Sequence, residues 1–355
     1  MQYTHIDKTL AFCVLCLVVL GTLFVYSSSY YRAMKLGEDS TYYLLGHLKR
    51  VGIACIFFLL GFFIPYQFVR KLLFPLLLLM LLALVLTLIM GRLQFGARRT
   101  LAFSSFGLQV SEFARIWIIF FLAHFFATHP QTANTGKGML TIVVLCLFII
   151  LLVAVQPSLS MAIICAVVVM CMFIYGRVPM RMLMPTAAVS IGMFALFALV
   201  FPHAQHRLTG FIAHPTYQVQ QSLIAIGSGG FIGKGPGAGL QKFLFLPRIH
   251  NDFIFAHIAE EFGFIGSVIL FVLFWQVYLR GLAIAGAMDD EFSRLLVLGL
   301  NVSIFTIFLI HVGVSVGLLP PTGVPLPFIS FGGWSLAANL LAIGVILQAS
   351  KKRIR

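Results

Sequence analysis

The sequence predicts an all-α polytopic membrane protein. Composition is the first reason. Of 355 residues, 61% are hydrophobic and only 10% are charged, and mean hydropathy is +1.04. A soluble domain carries about 25% charged residues. Patterning is the second reason. The apolar residues fall into about ten runs of near-spanning length, roughly 20 residues each. Together the runs use up the chain, so it reads as one integral membrane domain, 1–355, with no length left for a separate soluble domain.

The expected spans are near 9–30, 48–65, 71–90, 109–128, 139–155, 159–176, 182–201, 254–279, 293–318 and 328–349. The first run is long enough to cross a bilayer and has no small-residue cleavage site after it, so no cleavable leader is expected. No internal repeat is visible, which weighs against a transporter built from inverted halves. One connection is unusually long. Segment 202–253, between helices 7 and 8, is expected to be an extracytoplasmic loop with short interfacial helices.

The net charge is +14. With this composition it points to cytoplasmic-loop bias and to anionic lipid or phosphate, not to nucleic acid. Basic residues in short loops favour cytoplasmic termini: Arg70, Lys71, Lys137, Arg177, Arg181, Arg280, Arg294 and the tail Lys351–Arg355 then lie inside. Arg32, Lys35, Lys49, Arg50, Arg92, Arg98 and Arg99 are left outside. An anionic ligand on that face would account for them. The same orientation puts four irregular, Gly/Pro-rich loops outside, near 96–112, 156–158, 202–253 and 320–333. Irregular backbone at membrane depth is tolerated where protein buries it or it lines a polar cavity. The four loops therefore predict one cavity opening outward. The six cysteines lie in apolar runs and read as small buried side chains; Cys13 and Cys16 have a redox or zinc spacing but no partner pair.

The densest chemistry lies in Tyr217–Gly266. Seven glycines fall between Gly227 and Gly239, with Lys234 and Lys242 among and after them. The run fits neither a dinucleotide nor a phosphate-loop template, since Gly235 follows Lys234 where Ser or Thr is needed. It is either a flexible loop or a wall that a ligand approaches closely. Asp252 precedes a long apolar run. It is either the N-cap of the next helix or a catalytic base. Glu112 and Arg115, three apart on one helix face, are either a local ion pair or a pair lining the cavity. His250, His257, Glu260 and Glu261 match no metal motif, and His257 with Glu261 reads as a structural pair. No metal ligands are assigned. His203, His206 and Arg207 are expected to form a polar surface where the long loop begins.

At these residues the chain resembles the SEDS family of peptidoglycan glycan-strand polymerases, the FtsW/RodA group. The likeness runs over essentially the whole chain. It is carried by Tyr217-Gln218, Gln221-Ser222, Ala225-Ile226-Gly227, Gly229-Gly230, Gly233-Lys234-Gly235, Leu246-Pro247, His250, Asp252-Phe253-Ile254-Phe255 and Glu260-Glu261-Phe262-Gly263. Leu326-Pro327-Phe328-Ile329-Ser330 with Gly332-Gly333 is a second signature, and Ser111-Glu112-Phe113-Ala114-Arg115 a third. Gly239-Leu240-Gln241-Lys242 is closer to the FtsW, or division, branch. The chain departs from the family pattern at Thr100 (usually Trp), Val110 (Pro), Ser158 (Asp), Ser160 (Gly), Arg248 (Glu) and Trp334 (Ser).

The resemblance implies a glycosyltransferase of the bacterial cytoplasmic membrane that joins lipid II, a disaccharide-peptide on a polyprenyl diphosphate, into glycan strands at the outer face. It moves the glycine run towards the cavity-wall reading. Asp252 becomes the general base, with apolar neighbours strengthening it as a proton acceptor. Arg98, Arg99, Lys234, Lys242 and Arg248 become candidates to hold diphosphate. Glu112, Arg115, Gln218, Ser222, His250 and Ser330 become further substrate-binding candidates. A glycosidase needs a second carboxyl group to protonate its leaving group, whereas a diphosphate leaves as a stable anion and needs only neutralisation. Basic residues or a divalent cation such as Mg²⁺ would supply that. The implied partner is a class B penicillin-binding protein, a transpeptidase. The rival reading is a lipid II flippase, which has no need of a base at Asp252.

Overall fold

The computed structural model describes residues 6–94, 97–103, 106–130, 136–156, 158–200, 205, 216–243 and 245–351. Among the described residues, eight helices are long and apolar enough to cross a membrane: α1 (Lys8–Lys35), α2 (Tyr42–Phe63), α4 (Leu73–Met90), α5 (Val110–Thr128), α6 (Gly136–Val155), α11 (Ile254–Gly286), α12 (Glu291–Ser315) and α13 (Gly333–Ser350). Two more bundle helices, α7 (Leu159–Tyr175) and α8 (Met180–Val200), bring the arrangement to the ten expected. The described residues also form short helices: α3 (Tyr66–Lys71), α9 (Tyr217–Gly229) and α10 (Ile249–Asp252).

The all-α membrane class holds, with one small addition that was not expected. Strands β1 (Arg92–Gln94), β2 (Ala97–Phe103) and β3 (Phe106–Leu108) form a small antiparallel sheet between α4 and α5. Within 202–253, the described part holds the short helices α9 and α10. His203, His206 and Arg207 lie outside the described residues.

Helices α5, α12 and α13 form the centre and are buried over most of their lengths. The outer helices expose Leu, Ile and Phe, as a lipid-facing surface requires. Small residues set the closest crossing. A Cβ on Gly61 would lie 2.4 Å from the Leu341 carbonyl, and one on Gly344 2.4 Å from the Phe58 carbonyl. Helices α2 and α13 therefore touch backbone to backbone.

Asp7 and Ser350, near the two limits of the described chain, meet at one end of the bundle. The Asp7 amide donates to Ser350 Oγ at 3.2 Å. Asp7 also caps α1 through the Leu10 amide and receives the Arg280 guanidinium. The irregular loops gather at the opposite end.

The glycine run is a brace for a broken helix. Gly263 has φ 64° and ψ −157° and interrupts α11, leaving main-chain groups without helical partners. The run supplies those partners. Lys234 N and Gly235 N donate to the Glu260 and Glu261 carbonyls, and Phe264 N and Ile265 N donate to the Gly230 and Phe231 carbonyls. Backbones this close leave no room for side chains: a Cβ on Gly233 would lie 2.2 Å from the Glu261 carbonyl oxygen.

Candidate active site

A cavity of about 960 Å³ opens among the irregular loops. Several helices begin at its wall. It is lined by Gln109 and Glu112 from the start of α5, Ser160 and Met161 from α7, Tyr217 and Gln218 from α9, and Gly333, Trp334 and Ser335 from α13. Asp252 and Phe253 line it just before α11. Helix N-termini point unpaired N–H groups and positive dipole ends outward. This wall therefore favours an anionic ligand.

Asp252 ends the one-turn helix α10, which enters through Arg248 in a left-handed conformation (φ 55°, ψ 32°). The cap expectation is corrected here: Phe253, not Asp252, holds the N-cap position of α11. Asp252 Oδ1 accepts from Asn251 Nδ2 at 2.6 Å, and Arg248 Nη1 stands 4.0 Å from Asp252 Oδ2. The 320–325 loop passes beside the carboxylate, since a Cβ on Gly323 would lie 3.7 Å from Oδ2.

Helix α10 is fixed from behind. Ser330 Oγ donates to the Asn251 carbonyl at 2.8 Å and accepts from the Leu326 amide at 2.9 Å. The Phe331 amide donates to the His250 carbonyl at 3.1 Å. The His250 ring lies against Tyr43 and Phe331. Burial first, then the positive charges of Arg32, Arg248 and Arg50, lowers its pKa to about 4. His250 is thus a neutral packing residue at pH 7. Ser330 and His250 hold the site from outside its lining.

Glu112 and Arg115 divide their roles. Glu112 lines the cavity, and its Oε2 accepts no hydrogen bond from a described residue. Arg115 is fully buried behind it, with Nε 4.0 Å from Glu112 Oε2. Its Nη1 donates to Ser303 Oγ at 2.5 Å and its Nη2 to Asn339 Oδ1 at 2.6 Å. A guanidinium shared among three central helices fixes the carboxylate above it.

The two lysines sit elsewhere. Lys234 Nζ lies 2.8 Å from Glu260 Oε1, and Lys242 Nζ lies 2.9 Å from Glu261 Oε1. Glu261 also accepts from Ser27 Oγ of α1, and His257 Nε2 lies 3.5 Å away. These groups belong to the brace around Gly263, where buried carboxylates need cations. The glycine run is likewise not a cavity wall. Ser222 is buried and donates to the Ser315 carbonyl at 2.7 Å, so it joins α9 to α12. Gln218 does line the cavity. Arg98 and Arg99 stand on β2, but their side chains lie outside what is described.

Sequence reasoning missed Arg50 as a cavity residue. It lines the cavity with its guanidinium 3.9 Å over the Phe331 ring, and Nη1 donates to the Gly46 carbonyl. The signal was present, since Arg50 is a cation inside an apolar helix. In the sequence Trp334 stands out only as a departure from the family pattern. Its indole Nε1 donates to the Gly107 carbonyl, and the Thr100 side chain packs against Gly107. The two departures at positions 100 and 334 therefore meet at one point of the cavity wall.

Among the described residues, no three His, Cys, Asp or Glu side chains converge as a metal cage. The donor set fits a Mg²⁺ ion only in the manner usual for phosphate substrates, through one or two carboxylates together with substrate oxygens. Among the described residues, Asp252 and Glu112 are the carboxylates that line the cavity.

Residues 7–354 match the FtsW/RodA/SpoVE family model, described as a cell cycle protein. The chain belongs to this family. A probable peptidoglycan glycosyltransferase FtsW of Trichlorobacter lovleyi is 33% identical, over 97% of this chain and 93% of that protein. Stage V sporulation protein E of Bacillus subtilis is 30% identical, over 98% of both chains. Among solved structures, a chain from work on coordination of polymerization and crosslinking by a peptidoglycan synthase complex superposes with TM-score 0.80, at 25% identity and 99% coverage of both chains. The Thermus thermophilus rod shape determining protein RodA superposes with TM-score 0.73 at 25% identity, covering 99% of this chain and 98% of that one.

Proposed function

We propose that this chain is a peptidoglycan glycosyltransferase that joins lipid II units into glycan strands, with Asp252 as general base. The observation that carries the reading is the composition of the cavity. Two carboxylates line it: Glu112, backed by the buried Arg115, and Asp252, which stands with two guanidinium groups, Arg50 and Arg248, against a wall of helix N-termini. That set matches a reaction which loses one proton and releases one stable anion. The names of the relatives supply the substrate class.

In the reaction, the acceptor sugar hydroxyl hydrogen-bonds to Asp252. As its oxygen attacks the anomeric carbon of the donor, the proton passes to the carboxylate and the bond to the diphosphate breaks. The developing negative charge is stabilised by Arg50, Arg248 and the helix N-termini, which are already oriented before the reaction begins. Glu112, held by Arg115, accepts hydrogen bonds from the bound saccharide. A divalent cation at the diphosphate would add further neutralisation.

The cavity lies at the end of the bundle away from Asp7 and Ser350, so cytoplasmic termini would put it at the outer face of the cytoplasmic membrane. The basic tail supports that orientation. A class B penicillin-binding protein is the proposed partner, and the synthase complex named for the structural relative supports it. Purified chain given lipid II should form polymer in the presence of its transpeptidase. Lipid II translocation across vesicles without polymer would favour the flippase instead.

A further inference from the structure

We propose that Trp334 is the stacking platform for the sugar bonded directly to the diphosphate. This rests on the glycosyltransferase reading and deepens it. A pyranose ring has an apolar face of C–H bonds that packs on an aromatic ring, while its hydroxyls need polar partners around the edge.

Among the described residues, four aromatic side chains line the cavity: Tyr217, Phe253, Phe331 and Trp334. Three are unsuited to the task. Phe253 is 2% exposed. Phe331 carries the Arg50 guanidinium over its ring and His47 stacked against it. Tyr217 is 54% exposed. Trp334 is held firmly and is only half-buried. Phe57 and Phe113 meet its ring in edge-type contacts, with centroids 6.1 and 6.2 Å away. Its N–H is already given to the Gly107 carbonyl. What remains for a ligand is ring surface, which suits the apolar face of a sugar and not a hydroxyl.

The neighbours fit a sugar diphosphate. Glu112 and Ser335 line the cavity with Trp334 and offer hydrogen-bonding groups. The Arg50 stem packs on the preceding residue: a Cβ on Gly333 would lie 2.8 Å from Arg50 Cδ. A diphosphate is bonded to the anomeric carbon of its sugar, so a cation for the one must adjoin a platform for the other. Arg50 and Trp334 meet that requirement.

The test is tryptophan fluorescence of the intact chain in detergent, titrated with short-chain lipid II and with farnesyl diphosphate, which has no sugar. Lipid II should quench the wild type, farnesyl diphosphate should not, and the lipid II quench should disappear in Trp334→Phe. That variant keeps a ring and guards against a folding defect. Trp334→Leu should raise the KM for lipid II about 2- to 10-fold, the worth of one aromatic contact, with a smaller effect in Trp334→Phe. Equal quenching by farnesyl diphosphate, quenching that persists in Trp334→Phe, or an unchanged KM in Trp334→Leu would overturn the assignment. Sugar-dependent quenching without any polymer would leave Trp334 as a sugar site and remove the polymerase reading instead.

Discussion

Ser330 Oγ donates to the Asn251 carbonyl at 2.8 Å, one residue before Asp252. The same hydroxyl accepts from the Leu326 amide, so one small side chain joins the helix that carries the proposed base to the loop before α13. Ser330→Ala leaves both main-chain groups without their partner, at a cost of about 1–3 kcal/mol. The account predicts that kcat falls more than KM rises, because Ser330 holds Asp252 and not substrate. A change confined to KM would return Ser330 to the substrate contacts.

His250 sets a pH dependence of stability. Its pKa is lowered from 6.5 to about 4 in the folded chain, by burial and then by neighbouring arginines. The unfolded chain therefore binds a proton between these values while the folded chain does not. Stability is full above about pH 6.5 and falls as pH drops towards 4, by on the order of 3 kcal/mol in total. Thermal unfolding in detergent should show this slope, and His250→Asn should flatten it. An unchanged slope in the variant would assign it to other groups.

Lys242 is predicted to matter for folding, not for substrate. Its ammonium lies in a buried pair with Glu261. Lys242→Met leaves that carboxylate without its cation, which typically costs about 3–5 kcal/mol. Combining it with Glu261→Gln should recover part of the loss. Folded Lys242→Met should keep a normal KM for lipid II, and a raised KM at normal stability would contradict the assignment.

Gly263 interrupts α11 in a conformation that is nearly glycine-only. In Gly263→Ala the backbone alone costs about 1–3 kcal/mol, and its Cβ would lie 2.4 Å from the Gly233 amide. The variant should unfold at lower temperature and expose the glycine run to protease. Wild-type protection would show that the brace is not needed.

The spans were legible because a bilayer demands long apolar runs, and the cavity because four irregular loops fell on one face. The glycine run misled for a physical reason. Glycine density reports close approach to the backbone but not what approaches, and here it is the broken helix at Gly263. Lys234 and Lys242 read as phosphate ligands in the sequence because their partners, Glu260 and Glu261, lie 26 and 19 residues on, beyond any local helical pairing. Arg115 shares a helix face with Glu112, yet its hydrogen bonds go to Ser303 and Asn339, from helices far along the chain. The sheet before α5 went unseen because its strands are short and lie between two strong helical signals.

The most direct test of the account is polymerisation of lipid II by Asp252→Asn, with folding and lipid II binding measured on the same preparation. Asn keeps the size and hydrogen-bonding capacity of Asp but is not a comparable base. Phe253 holds the cap position of α11, so the helix does not depend on the Asp252 carboxylate. The account predicts a folded variant that binds lipid II and loses polymer formation by roughly two to four orders of magnitude. Near-wild-type polymer from folded Asp252→Asn would contradict it.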